Sequence, residues 1–213
     1  MKIKTLAVLF LLTVSLSGCA SFRAGSEVQS GRRALLTGDG ETALAYFQSA
    51  AQKDPDYYYG TALKHGILSY VGRSEYAVGR YPQARQNLEK ALGANKDDDV
   101  ARLFLGLTLA RTGDRQRGLS EIESGMKGIH GWLEYVTEAH RFSFGQFWDP
   151  ARKIRAAIQT DLAMISSRDL NWDKLIADGE WIGKEIEEEG DRARNDEVRT
   201  LNRDSESGKD SPR

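Results

Sequence analysis

The chain has one cysteine, Cys19, three histidines and four prolines in 213 residues. A single cysteine excludes an intrachain disulfide and a cysteine-built zinc site. Lysine and arginine number 30 against 31 aspartates and glutamates, a net charge of −1. That balance lacks the basic footprint of a nucleic-acid binder, and no nucleic-acid partner is expected. Convincing alternating strand patterns are missing. So are the G-x-S-x-G, P-loop and dinucleotide fingerprints. What remains is 40% hydrophobic and 29% charged residues, arranged in Ala-, Leu-, Glu- and Arg-rich segments. Such a composition favours an all-α protein, long enough to bury a real core.

Residues 1–18 read as an address. Lys2 and Lys4 form a basic start, and residues 6–16 form an apolar run too short for a stable membrane span. Leu16-Ser17-Gly18-Cys19 follows and resembles the lipobox of bacterial lipoproteins. That resemblance implies cleavage before Cys19, lipidation of its thiol, and a tether over 19–25. An ordinary signal peptide cut near Ala20 is the alternative. Two or more acyl chains anchor stably where one does not. Ser21 rather than Asp follows Ala20. By the same resemblance, the anchor belongs in the outer membrane, facing the periplasm.

The organising stretch is residues 38–55, a turn and then one amphipathic helix. Gly38 opens the turn, Ala43, Phe47 and Ala50 form one helical stripe, and Pro55 ends it. The offsets recur at Gly79, Ala84, Leu88 and Ala91, and again at Gly113, Gly118, Ile122 and Gly125. Gly79 and Gly113 are 34 positions apart, and Gly38 and Gly79 are 41 apart. This resembles the second helix of the tetratricopeptide (TPR) repeat, and Leu105-Gly106 matches the family's L-G pair in the first helix. The resemblance implies a TPR-type right-handed helical solenoid over 26–132, with about three repeats near 24–57, 65–98 and 99–132.

Details within the repeats carry further expectations. The seven extra residues, with Tyr57-Tyr58-Tyr59, are expected to add about two turns to the next helix. Those tyrosines either pack between repeats or form a binding platform. An aspartate among 97–99 is expected to cap the third repeat, and Pro82 fits a first helical turn. Gly118 and Gly125 each cost about 1 kcal/mol in a helix interior, so that helix needs support from packing.

Residues 133–190 are expected to cap the array as a helical hairpin. Asp149-Pro150 reads as N-cap and first helical residue, followed by the stripe Ile154, Ile158, Leu162 and Ile165. Asn171 or Asp173 starts another helix, with Trp172, Leu175, Ile176, Gly179, Ile182 and Ile186 facing inward. Residues 191–213 are expected to form a charged, disordered tail.

In peptide-binding TPR proteins the first helices line a groove. Carried over by position, the partner-binding groove here comprises Arg32, Arg73 and Tyr76 at a basic end, then Leu103, Leu107 and Arg111. The asparagine and lysine pattern of the carboxylate clamp is missing, so an EEVD-type C-terminus is not an expected ligand. Two plainer readings stand beside this one. The C-terminal helices fold back onto Leu103 and Leu107, or Arg32 and Arg73 are ordinary solvated charges. No catalytic or metal residues are assigned and no cofactor is expected. His65, His130, His140, Glu134 and Glu138 lack the spacing of helical metal sites.

The expected role is a membrane-anchored TPR scaffold, not an enzyme, that binds a partner protein in the bacterial cell envelope for assembly or transport. The alternative is a periplasmic small-molecule or lipid-binding accessory of a transporter, using the aromatics from Trp132 to Trp148. An enzyme would rest on Glu134, Glu138 and His140 alone.

Overall fold

Three helical hairpins repeat one turn. Each first helix ends at a glycine with positive φ: Gly38 at 86°, Gly79 at 76° and Gly113 at 95°. The residue after each glycine donates its N–H five residues back: Asp39 to Ala34 O at 2.9 Å, Arg80 to Glu75 O at 2.8 Å and Asp114 to Leu109 O at 3.0 Å. This is the Schellman arrangement, which satisfies otherwise orphaned carbonyls and favours glycine because no Cβ clashes. Asp39 then caps the second helix by accepting from Thr42 N at 3.1 Å, and Asp114 does so for Arg117 N at 3.4 Å.

The computed structural model describes residues 23–60, 62–167 and 170–207, with side chains to 202. The leader, Cys19 and tether residues 19–22 lie outside the described residues. Residues 23–25, expected as tether, belong to a helix. The described residues are mostly helical: α1 (23–36), α2 (Gly40–Lys53), α3 (Ile67–Ala77), α4 (Tyr81–Ala94), α5 (Asp99–Arg111), α6 (Arg115–Ala139), α7 (Lys153–Ser166) and α8 (Trp172–Ser207). A 3-10 turn spans Phe144–Phe147. The chain divides into two compact units, Met1–Ala101 and Arg102–Arg213.

Within each hairpin the helices meet at a small residue. A Cβ on Gly31 would lie 2.8 Å from Phe47, one on Gly72 2.6 Å from Leu88, and one on Gly106 2.5 Å from the Ile122 nitrogen. Each pair is 16 positions apart. Gly118 is equally confined, 2.8 Å from the Ala110 nitrogen by the same construction. Its missing side chain is what lets α5 and α6 touch backbone to backbone, and that contact offsets its poor helix propensity.

In the first unit the core gathers Val28, Leu44, Phe47, Ile67 and Tyr70. The expected extra helical turns do not form there. Tyr58–Tyr59 (β1) instead pairs antiparallel with His65–Gly66 (β2), Tyr58 opposite Gly66 and Tyr59 opposite His65. Pro55 stops α2 from continuing, Gly60 takes φ of 108°, and tyrosine suits a pleated, half-buried strand.

In the second unit, Asp149 is displaced from its expected N-cap place. It has φ of 42°, and α7 starts only at Lys153. Its carboxylate still caps that helix, accepting from Ile154 N at 3.1 Å and Arg155 N at 3.2 Å. Asn171 caps α8 through Lys174 N at 3.0 Å. The expectation of a disordered tail fails over 191–207, which continue α8 to a length of 36 residues. One-turn ion pairs support it, Arg192 with Glu188 at 3.5 Å and Arg199 with Asp196 at 3.5 Å, and Ala193 is buried. Residues 208–213 lie outside the described residues.

Candidate functional site

The basic end of the expected groove exists as a cluster, but a covered one. Arg32, on α1, donates from Nη1 to the Tyr59 hydroxyl at 3.0 Å, and its guanidinium carbon lies 4.5 Å from that ring's centre. Tyr59 meets Tyr70 edge-on at 6.4 Å, and the Arg73 guanidinium carbon stands 5.1 Å from the Tyr70 ring centre. Two tyrosines therefore link the two arginines. Tyr70 also stacks on Phe47 at 4.9 Å and takes His65 edge-on at 5.8 Å. Helices α1 and α3 and the β pair position this set, because residues 70 and 73 share one side of α3.

Charge inside the cluster is compensated. His65 Nδ1 sits 3.0 Å from Asp98 Oδ1, and each residue is 3% exposed. The same Asp98 oxygen receives Ala101 N–H at 3.0 Å, so Asp98 is the aspartate that caps α5. Burial acts to raise the Asp98 carboxyl. His65, the Ala101 N–H and Arg73 outweigh burial and hold it below the usual aspartate range. Farther along α3, burial raises the Glu75 carboxyl, against the pull of the Asn87 amide, which donates to it at 2.8 Å.

Burial corrects the groove reading for most of its residues. Arg32 is 6% exposed, Arg73 2% and Tyr76 6%, so none presents a side chain freely to solvent. Tyr76 packs on Tyr81, ring centres 5.6 Å apart. Leu103 and Leu107 are fully buried. Helix α8 lies on them: a Cβ at Gly179 would come 2.9 Å from Leu107 and 3.5 Å from Leu103, and Gly183 abuts the Phe104 ring. The fold-back reading thus holds for the apolar end. Arg111 remains at the surface and donates to Glu180 Oε1 at 3.0 Å.

Sequence reasoning passed over Tyr70, the hub of the cluster, and the pairing of His65 with Asp98. Tyr70 falls in none of the repeat positions or motifs that the sequence marks. His65 and Asp98 are 33 positions apart, and no motif spacing connects them.

The aromatic stretch is divided in role. Trp132 and Trp148 pack edge-to-face at 4.6 Å, and His140 stacks on Phe144 at 4.4 Å. Tyr135 and Phe142 are exposed. Glu134 accepts from Arg152 at 2.8 Å and Arg155 at 3.3 Å, so it serves the α6–α7 junction. Among the described residues, no three or more His, Cys, Asp or Glu side chains group as a metal site. Among the same residues, no helix is long and apolar enough to cross a membrane. No family model, curated protein or solved structure matches the chain.

Proposed function

We propose that this chain is a lipid-anchored scaffold of TPR type, without catalytic activity of its own, which docks a partner protein in the bacterial cell envelope. The observation that supports it most is the threefold turn-and-glycine geometry at Gly38, Gly79 and Gly113, with Gly31, Gly72 and Gly106 each packed on the residue 16 positions later. Repeating hairpins of this kind serve as binding surfaces. The lipobox-like Leu16-Ser17-Gly18-Cys19 adds the anchor, in the outer membrane and facing the periplasm. The proposed array comprises about three repeats, with the C-terminal helices as its cap.

Because Arg32, Arg73 and Tyr76 are buried, docking falls to exposed side chains. Among the described residues of the first unit, Tyr46 on α2, at 40% exposure, and Tyr58 on β1, at 43%, are the exposed large apolar side chains. The test is in-cell crosslinking of the full-length tagged protein, with partners identified by mass spectrometry. A Tyr46→Ala, Tyr58→Ala double variant serves as control. A partner captured by the native chain and lost in the control supports the reading. Failure to capture any protein in growing or stressed cells would remove it.

A further inference from the structure

Two charged residues lie on the buried face of α7, Arg155 and Asp161, and Arg155 is paired with Asp149 whereas Asp161 is not. Asp161 follows Ile154 and Ile158 on the same face, and like Ile158 it is fully buried. Among the described residues, neither carboxylate oxygen receives a hydrogen bond. Across from it, on α8, stand Asp178 and Lys174. The Lys174 ammonium touches Asp178 Oδ2 and reaches Asp161 Oδ1 only at 3.8 Å. One half-exposed lysine thus compensates one of two carboxylates.

Among the described residues, helices α6 and α8, which both pack on α7, do not relieve the imbalance. The titratable groups of α6 beside α7 are committed. Glu123 bonds Lys127 at 2.6 Å, His130 meets Gln159 at 3.0 Å, and Glu134 takes Arg152 and Arg155. On α8, Glu180 bonds Arg111. One lysine thus reaches both carboxylates, and because two carboxylates are both acceptors, only a proton makes their mutual approach attractive.

We propose that the α7–α8 hairpin is a proton-responsive clasp, in which Asp161 and Asp178 share one proton and its release loosens α7 from α8. The energetics agree with the geometry. Burial, helped by the Asp178 carboxylate and opposed by Lys174, pushes the Asp161 carboxyl up to about 7. In an unfolded chain an aspartate titrates near ~3.9. Between those values the folded state holds the extra proton. The clasp's contribution to stability is therefore complete below about pH 4 and is lost as pH rises to about 7.

The test uses the full-length protein in detergent micelles. Carbon-13 NMR of aspartate side chains should show one carboxyl titrating near neutrality, absent from Asp161→Asn. Hydrogen exchange of peptides from α7 and the first half of α8, corrected for intrinsic rate, should quicken from pH 6 to pH 8 in the native chain. Asp161→Asn mimics the protonated acid. It should abolish that change and raise Tm at pH 8 by roughly 5 °C. Titration of every aspartate below about pH 5 in the native protein overturns the proposal, and that measurement needs no variant to fold. So does an exchange rate in α7 and α8 that is indifferent to pH.

Discussion

Arg155 donates from Nε to Asp149 Oδ2 at 3.0 Å while its own backbone N–H is bonded to that same carboxylate oxygen at 3.2 Å. The pair is buried, with side chains 5% and 3% exposed. The guanidinium goes on to the Asp149 carbonyl at 2.7 Å and to Thr137 Oγ1 at 3.1 Å, which ties the α7 start to α6. Removing one partner of such a pair strands the other. Asp149→Ala should cost about 3–5 kcal/mol, read as a lower urea midpoint. Arg155→Lys should also lower the urea midpoint, because an ammonium cannot supply the planar fork of donors.

Small residues in the hairpins divide into two kinds that sequence alone does not separate. Gly106→Ala drives a methyl into the Ile122 nitrogen and the Gly118 carbonyl, backbone atoms that cannot yield. A loss of about 1–3 kcal/mol or more is expected from overpacking. Gly131, in the interior of α6, has nothing within 4 Å of its would-be Cβ. Gly131→Ala should stabilise by roughly 0.5–1 kcal/mol through helix propensity. Thermal unfolding of both variants beside the native chain decides the matter, and equal effects would refute the close-approach account.

Acid should unfold the first unit partly through Asp98. Its carboxyl is held below the usual range, so its contribution is present above the unfolded value near ~3.9 and is lost as pH falls through the lower folded value. Asp98→Asn should weaken the native state at pH 7 and flatten the acid limb of a circular-dichroism titration. A variant that keeps the native acid slope would show that other carboxylates carry it. The sign is opposite to that of Asp161, so the two variants should move opposite ends of the stability profile.

Charge reversal separates buried from exposed arginines. Arg73→Glu places a second acid beside Asp98 in a covered site and should abolish cooperative unfolding or lower Tm steeply. Arg111→Ala breaks a surface pair with Glu180 and should stay within about 1 kcal/mol of the native protein. Comparable losses in the two would mean that the burial of Arg73 is not what makes it matter.

Cys19 is the only thiol in the chain. Metabolic labelling with a palmitate analogue should mark the native protein and not Cys19→Ser, and the label should follow the outer-membrane fraction. A labelled Cys19→Ser protein, or an unlabelled native one, would exclude the lipobox reading.

Much of this molecule was decided by spacing along the chain. A glycine placed just past a helical stripe dictates a left-handed turn wherever it occurs. Gly38, Gly79 and Gly113 therefore set the three hairpins, and Asn171 set its helix start, from local chemistry alone. Local rules failed where neighbours from afar outvoted them. Helix α8 takes the apolar face of α5, so Leu103 and Leu107 became core instead of groove. Tyr70, with aromatic and charged partners on four elements, became a hub that no stripe reveals. Burial belongs to the assembled structure, because the same arginine is a solvated charge or a buried one, and the same aspartate an ordinary or a titration-shifted one, according to what packs against it. Arg73, Asp98 and Asp161 acquired their character in that way, and periodicity does not record it.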